Sequence, residues 1–112
     1  MKIRINALDS LFSKLIRKQR PNCEICGKAS TQVHHWKGRR NQSVRYDPDN
    51  AWSVCFTCHR RFEEDPDFAM RMQKKRLGPR YDNFILKANG ICKRTNSDKF
   101  ILKLWMEQEL SK

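Results

Sequence analysis

Apolar side chains recur at intervals of three and four residues near the start of the chain. They are Leu8, Leu11, Phe12, Leu15 and Ile16. This spacing places them on one face of a helix, so it predicts an amphipathic α-helix over residues 7–20. Asn6 is a suitable N-cap for this helix, and Pro21 predicts its end.

The pattern then changes to short, β-prone segments. Residues 31–36 (Thr-Gln-Val-His-His-Trp) predict a strand. Residues 37–43 read as a basic loop, and the sequence Asp47-Pro48-Asp49-Asn50 predicts a turn. A helix is expected to begin near Cys55 and to carry His59.

Beyond residue 65 the periodicity is helical again. Phe68 and Met72 indicate one helix, and Phe84 and Ile85 a second. The sequence Thr95-Asn96-Ser97-Asp98 resembles a capping box at the start of a third. We therefore expect an α+β, mostly helical fold in a single domain over residues 1–112. Its predicted parts are an N-terminal helix (7–20), a small core (21–65) and a basic helical arm (66–112).

Charge indicates the class of partner. The 112 residues carry 24 Lys and Arg against 12 Asp and Glu, a net charge of +12, and the excess lies on both sides of a nearly neutral centre. Such a distribution favours a long polyanion such as DNA over a membrane or a neutral ligand. The first residues, MKIRINALDS, lack the apolar core of a secretory signal, so we expect a cytoplasmic protein without a membrane span.

Four of the five cysteines form two Cys-x-x-Cys pairs. The two-residue spacer lets both sulfurs of a pair face one ion, so the sequence predicts structural Zn²⁺. A disulfide framework is the weaker interpretation without a secretory signal. Gly27 suits the tight backbone after the first pair. The expected zinc ligands are Cys23, Cys26, Cys55 and Cys58.

All three histidines lie close to these pairs in the sequence. His34 and His35 are adjacent on the predicted strand, and His59 follows Cys58 directly. Neighbouring strand residues point to opposite faces, so one of the pair can bind a metal while the other faces a substrate or water. Two alternatives stay open: a histidine replaces a cysteine at the zinc site, or the pair is simply solvated.

Together these residues resemble the HNH, or ββα-metal, endonucleases. The resemblance rests on the two cysteine pairs, the sequence Val33-His34-His35, the pair Asp49-Asn50, and His59 after the second knuckle. A looser similarity, through Ser43–Asn50 and the flanking helices, points to the lambdoid-phage NinG recombination nucleases. This resemblance implies a zinc-stapled ββα-metal core and hydrolysis of DNA phosphodiester bonds, with branched recombination intermediates as the substrate.

The resemblance also assigns roles to individual residues. His35 matches the general base, and Asn50 matches the residue that braces the loop and orients that base. His34 and His59 match the ligands of one catalytic divalent cation, for which Mg²⁺, Mn²⁺, Ni²⁺ and Zn²⁺ are admissible. Glu63 stands where some members carry a third metal ligand, although an exposed helix-surface glutamate is the simpler interpretation.

Contact with DNA is expected from basic residues near these positions. Without a base-reading motif, we expect recognition of the DNA backbone or shape. Cutting two strands would require a homodimer, with the first or the last helix as the interface. The alternative function is a non-catalytic, zinc-stabilised DNA-binding module. The candidate DNA contacts are Lys37, Arg39, Arg40, Arg45, Arg60 and Arg61.

Overall fold

The structure is a computed structural model that describes residues 6–112. Over this range the chain is mostly helical with a two-stranded antiparallel sheet, which confirms the predicted fold class. No helix in this range is long and apolar enough to cross a bilayer. The elements are α1 (Ala7–Gln19), β1 (Gln32–His35), β2 (Ala51–Val54), α2 (Phe56–Glu64), α3 (Pro66–Leu77), α4 (Tyr81–Ala88) and α5 (Asn96–Ser111).

Helix α1 begins with a reciprocal capping box. The Asn6 side chain accepts a hydrogen bond from the Asp9 backbone N–H (2.9 Å), and the Asp9 carboxylate accepts one from the Asn6 N–H (2.8 Å). The helix ends at Gln19, one residue earlier than predicted. Arg20 has φ −132° and ψ 76°, because a residue that precedes proline is disfavoured in the helical region.

The two strands form a hairpin whose faces are distinct. Gln32 pairs with Val54 and His35 with Ala51, so the predicted strand over 31–36 is confirmed with one residue fewer at each end. The connection between the two strands, residues 36–50, contains short 3₁₀ turns at Gln42–Val44 and Pro48–Asn50, and the second of these lies in the predicted turn cluster. Since side chains alternate along a strand, adjacent residues such as His34 and His35 face opposite layers.

Helices cover the hairpin from both sides. On one face, α1 supplies Phe12, Leu15 and Ile16, all fully buried, together with Met106 from α5. On the other face, Phe62 and residues of α3 pack against the strand side chains of β2. The hairpin is therefore a two-sided scaffold, which explains how so short a sheet can be ordered.

The C-terminal region folds back onto the domain. Helix α3 ends at Leu77, and the φ of +55° at the following Gly78 suits a residue without a Cβ. The capping box predicted before α5 is confirmed, with the Thr95 hydroxyl accepting from the Asp98 N–H at 3.1 Å. Helix α5 then packs along α1 and contributes Met106 to the core on that face of the hairpin.

Candidate active site and metal centres

The first knuckle is a tight turn held by its own backbone. The Gly27 N–H donates to the Cys23 carbonyl (2.9 Å), and the Cys23 N–H donates to the Lys28 carbonyl (2.6 Å). Gly27 has φ +79°, a conformation that side chains with a Cβ adopt only with strain. The turn expected from the sequence at Gly27 is confirmed.

The four cysteines of the two knuckles meet at one place. Their sulfur atoms all lie within 4.8 Å of one another, and the Sγ atoms of Cys26 and Cys55 are 3.6 Å apart. A tetrahedron of thiolates around Zn²⁺, with Zn–S bonds of about 2.3 Å, has edges of roughly 3.8 Å. All five cysteines are free of disulfides. The cluster therefore fits a structural zinc ion, as the Cys-x-x-Cys spacing predicted.

Electrostatics around the sulfurs favour a bound cation. Burial opposes ionisation of Cys23, but N–H donors from Cys26, Cys55 and Ile25 outweigh it and lower its pKa to about 6. Burial and the neighbouring sulfurs raise the pKa of Cys58. The Cys23 thiolate thus forms readily, whereas burial and the neighbouring sulfurs oppose ionisation of Cys58. A positive ion at the centre removes that resistance.

A second group of ligand atoms lies beside the knuckles. His34, His59 and Glu63 offer nitrogen and carboxylate oxygen atoms within 4.8 Å of one another. Nε2 of His59 is 3.0 Å from a carboxylate oxygen of Glu63, and the rings of His34 and His59 have centroids 5.0 Å apart. Two imidazoles and a carboxylate suit a divalent transition metal, and an open coordination sphere leaves room for a substrate oxygen.

Neighbouring side chains fix the two rings of this cluster. Nδ1 of His59 donates to the amide oxygen of Gln32, which leaves Nε2, the atom that faces Glu63, as the ring nitrogen that can bind a cation. His34 stacks on Phe62 at 5.1 Å with an interplanar angle of 12°. Burial, followed by the charges of His59 and His35, lowers the pKa of His34 to about 4, which keeps it neutral at pH 7.

His35 lies on the opposite face of β1. Its Nε2 donates to the backbone carbonyl of Arg45 at 3.1 Å, and its ring centroid is 5.8 Å from that of Phe12. The ring is 9% exposed. Burial and the nearby charge of Arg39 lower its pKa to about 4. Two of the three imidazoles therefore share one site, while the third is separated from them by the strand, as side-chain alternation predicts.

The residue whose carbonyl binds His35 forms a buried ion pair. The guanidinium of Arg45 binds both carboxylate oxygens of Asp9, at 2.9 and 2.6 Å. Burial disfavours the Asp9 charge, but the hydrogen bonds from Arg45 and Asn6 lower its pKa nonetheless. Asp9 is not among the site residues predicted from the sequence. Its only local signal was the Asn6-x-x-Asp9 spacing of the capping box.

Asn50 holds together the two ends of the loop between the strands. Its side chain is fully buried, accepts from the Lys37 N–H and donates to the Lys37 carbonyl, both at 2.8 Å. Its own carbonyl accepts from the Trp36 N–H at 2.9 Å. Three hydrogen bonds thus join Asn50, the residue before β2, to Trp36 and Lys37, the two residues that follow His35.

The six predicted DNA-contact residues have different environments. Arg40, Arg60 and Arg61 are exposed, while Lys37 and Arg39 are half-buried. Nε of Arg39 lies 3.8 Å from Oδ1 of Asp9. Arg45 is buried and serves the ion pair with Asp9, which favours a structural role over a contact with DNA.

Comparison with known proteins bears on the segment that contains both clusters. Residues 23–64 match the family model of the HNH endonucleases. This HNH segment begins at the first knuckle cysteine and ends with α2, so it includes His34, His35, Asn50 and His59. No curated protein and no solved structure matches the chain. The finer resemblance to NinG nucleases stays a prediction.

Proposed function

We propose that this protein is a metal-dependent DNA endonuclease of the HNH type. The observation that supports it most is the cluster of His34, His59 and Glu63 on one face of the hairpin, with His35 adjacent in sequence. All four residues belong to the HNH segment. A module that only binds DNA has no need of this ligand set.

The ligand trio would hold one divalent cation. Nδ1–H of His59 donates a hydrogen bond to Gln32, so Nε2 is available as a ligand. His34 contributes a nitrogen from the strand, and Glu63 an oxygen from the next turn of α2. When bound, the ion supplies positive charge that stabilises the scissile phosphate and the departing 3′ oxygen.

His35 is the proposed general base. Its hydrogen bond to the Arg45 carbonyl requires a proton on Nε2, which leaves the Nδ1 lone pair as the basic site of the ring. In this role it would accept a proton from the water that attacks the phosphodiester. The Asp9–Arg45 pair and the Asn50 brace would hold the ring in orientation from the segments on either side of it.

Zinc and surface charge complete the proposal. The four cysteines would tie the first knuckle to the start of α2, and thereby position His59 next to the hairpin. The exposed arginines and Lys37 would contact phosphates without reading bases. Because the thiolates must stay reduced, we propose the cytoplasm as the site of action.

Plasmid nicking tests the catalytic assignment. With Mg²⁺ or Mn²⁺ the wild type should nick supercoiled DNA, and His35→Ala should reduce the rate by about 10²- to 10⁴-fold because the base is removed. DNA affinity should change little. Far-UV circular dichroism and zinc content verify that the variant folds. Wild-type protein that binds DNA but nicks none with Mg²⁺, Mn²⁺, Ni²⁺ or Zn²⁺ contradicts the proposal.

A non-catalytic DNA-binding module is the second candidate, and the burial of His35 is the observation in its favour. It predicts the same zinc content and the same DNA affinity with no cleavage. The nicking experiment separates the two. If cleavage occurs, rates on a four-way junction and on a linear duplex of equal length test the preference for branched recombination intermediates.

We also propose that two copies associate through α5. One face of this helix is buried against α1, while Phe100, Ile101, Leu104 and Trp105 stay 39–64% exposed on the other. A helix that is apolar on both sides usually has both sides covered. Lys103 and Glu107 lie at the border of this outer face and pair with each other along the helix, with Nζ and Oε1 3.8 Å apart. In an antiparallel pair, Lys103 of each copy would meet Glu107 of the other, which favours a second copy as the occupant.

A further inference from the structure

An aromatic ring is exposed at the start of α2, the helix that carries two of the three candidate metal ligands. Phe56 is 59% exposed, whereas Trp52 and Phe62 in the same segment are each 3% exposed. It is the first residue of the helix and directly follows Cys55. The ring of Phe56 therefore contributes little to the core.

The helical spacing aligns Phe56 with the candidate metal ligands. Phe56, His59, Arg60 and Glu63 occupy positions i, i+3, i+4 and i+7 of α2, so they are neighbours along one stripe of the helix. One helical turn, about 5 Å, separates Phe56 from His59. A nucleotide whose phosphate lies near His59 and Glu63 therefore has its base within reach of the Phe56 ring.

The guanidinium of Arg60 adjoins the ring and is itself paired with Glu64. The guanidinium carbon of Arg60 lies 5.9 Å from the centroid of Phe56, and a surface groove of about 310 Å³ runs alongside both residues. The two carboxylates in the groove already have partners. Glu64 binds Arg60 at 3.0 Å, and Asp65 accepts from the Phe68 N–H at 3.1 Å. An aromatic face next to an arginine is the surface chemistry that binds a nucleobase and its phosphate.

We infer that Phe56 is a stacking platform for an unpaired nucleobase next to the phosphate at the candidate active site. The inference rests on the proposed function in taking DNA as the ligand. In a duplex both faces of each base are covered by its neighbours, so a surface ring has no base face to stack on. An unpaired base offers that face, as in a single strand, a flap or a junction branch. The substrate class expected is DNA with at least one unpaired nucleotide at the cleavage position.

Binding measurements on the full chain test this inference without relying on cleavage. The probe is a 16-nucleotide single strand that carries 2-aminopurine, measured alone and annealed to its complement, with no divalent ion added. Phe56→Leu keeps an apolar side chain but removes the aromatic face. It should weaken single-strand binding about tenfold, change duplex binding less than about twofold and abolish the quenching of 2-aminopurine. Phe56→Tyr should behave as the wild type, and equal zinc contents show that the knuckle is intact.

The outcomes separate this inference from the proposed function. Three results would overturn the stacking platform. Phe56→Leu could lose equal affinity for single strand and duplex, it could keep its single-strand affinity, or the wild type could fail to bind the single strand. A selective single-strand loss together with absent nicking supports the platform and contradicts the endonuclease. Cleavage of a flap substrate with an unpaired nucleotide that depends on His35 but not on the Phe56 ring supports the enzyme and overturns the platform.

Discussion

Single residues of the candidate site are held by partners far away in the sequence. His35 donates to the carbonyl of Arg45, and the Arg45 guanidinium in turn binds Asp9 in the first turn of α1. The capping carboxylate of a helix thus also fixes the segment that orients the proposed base. A change at Asp9 should therefore act on stability and on the position of His35 together.

Asp9→Asn removes the negative charge of this buried pair and leaves that of Arg45 uncompensated. We expect a loss of about 3 kcal/mol in the free energy of unfolding at pH 7. The ionised carboxylate stabilises the fold because its pKa is lower in the native state than in the unfolded chain. That contribution is present above the unfolded pKa, about 4, and is lost as pH falls through the native value.

Urea denaturation at a series of pH values measures this effect. The difference in the free energy of unfolding between the wild type and Asp9→Asn should be largest at pH 7 and should decrease below about pH 4. Asp82→Asn, an exposed position on α4, is the matched control and should leave stability nearly unchanged. A gap that stays constant down to low pH would show that the charge of Asp9 contributes nothing.

At the scale of elements, the hairpin and α2 form the frame on which the candidate site is built. Alternation along β1 sends His34 toward α2 and His35 toward α1. The knuckles join the loop before β1 to the start of α2. With only four residues in each strand, the hairpin buries little surface of its own, so the zinc cluster should supply much of the stability of this frame.

Metal content tests the role of the cysteine cluster. Purified wild type should retain one zinc per chain after dialysis, and Cys55→Ser should lose the zinc together with a large part of its thermal stability. Cys92→Ser is the control, since Cys92 lies outside the cluster. His34→Ala should keep this zinc as well. Wild type without zinc, or a zinc-loaded Cys55→Ser, would refute the structural zinc site.

At the scale of the whole molecule, charge and exposed apolar surface decide which partners are possible. The net charge of +12 suits a nucleic acid. The outer face of α5 is apolar, and pairing through it would bring two candidate active sites into one particle. Four exposed side chains form a small interface, so the dimer should be weak and concentration-dependent.

Sedimentation equilibrium tests this association. Leu104→Lys places a charge in the middle of the outer α5 face and should weaken dimerisation at least about tenfold. Leu86→Lys is the matched control, because Leu86 is 72% exposed on α4 and its substitution should leave association unchanged. Wild type that remains monomeric at millimolar concentration, or equal effects of the two variants, would rule out the interface.

Features that depend on local spacing were available from the sequence alone. Helix α1 and its cap, the turn at Gly27, the two knuckles and the capping box of α5 were all predicted correctly. The opposite orientation of His34 and His35 was predicted in the same way. Each of these features is decided by residues a few positions apart, whose geometry follows from the period of a helix, a strand or a tight turn.

Only the tertiary structure decided which distant residues meet. The Asp9–Arg45 pair, the contact of Gln32 with His59, the exposure of Phe56 and the uncovered face of α5 join or expose positions that no local period relates. The basic residues illustrate the difference: Arg45 and Arg60 look alike in the sequence, yet one is buried and the other exposed. Packing of α1, α2 and α5 around the hairpin produces that difference, because burial depends on the whole set of neighbours in space.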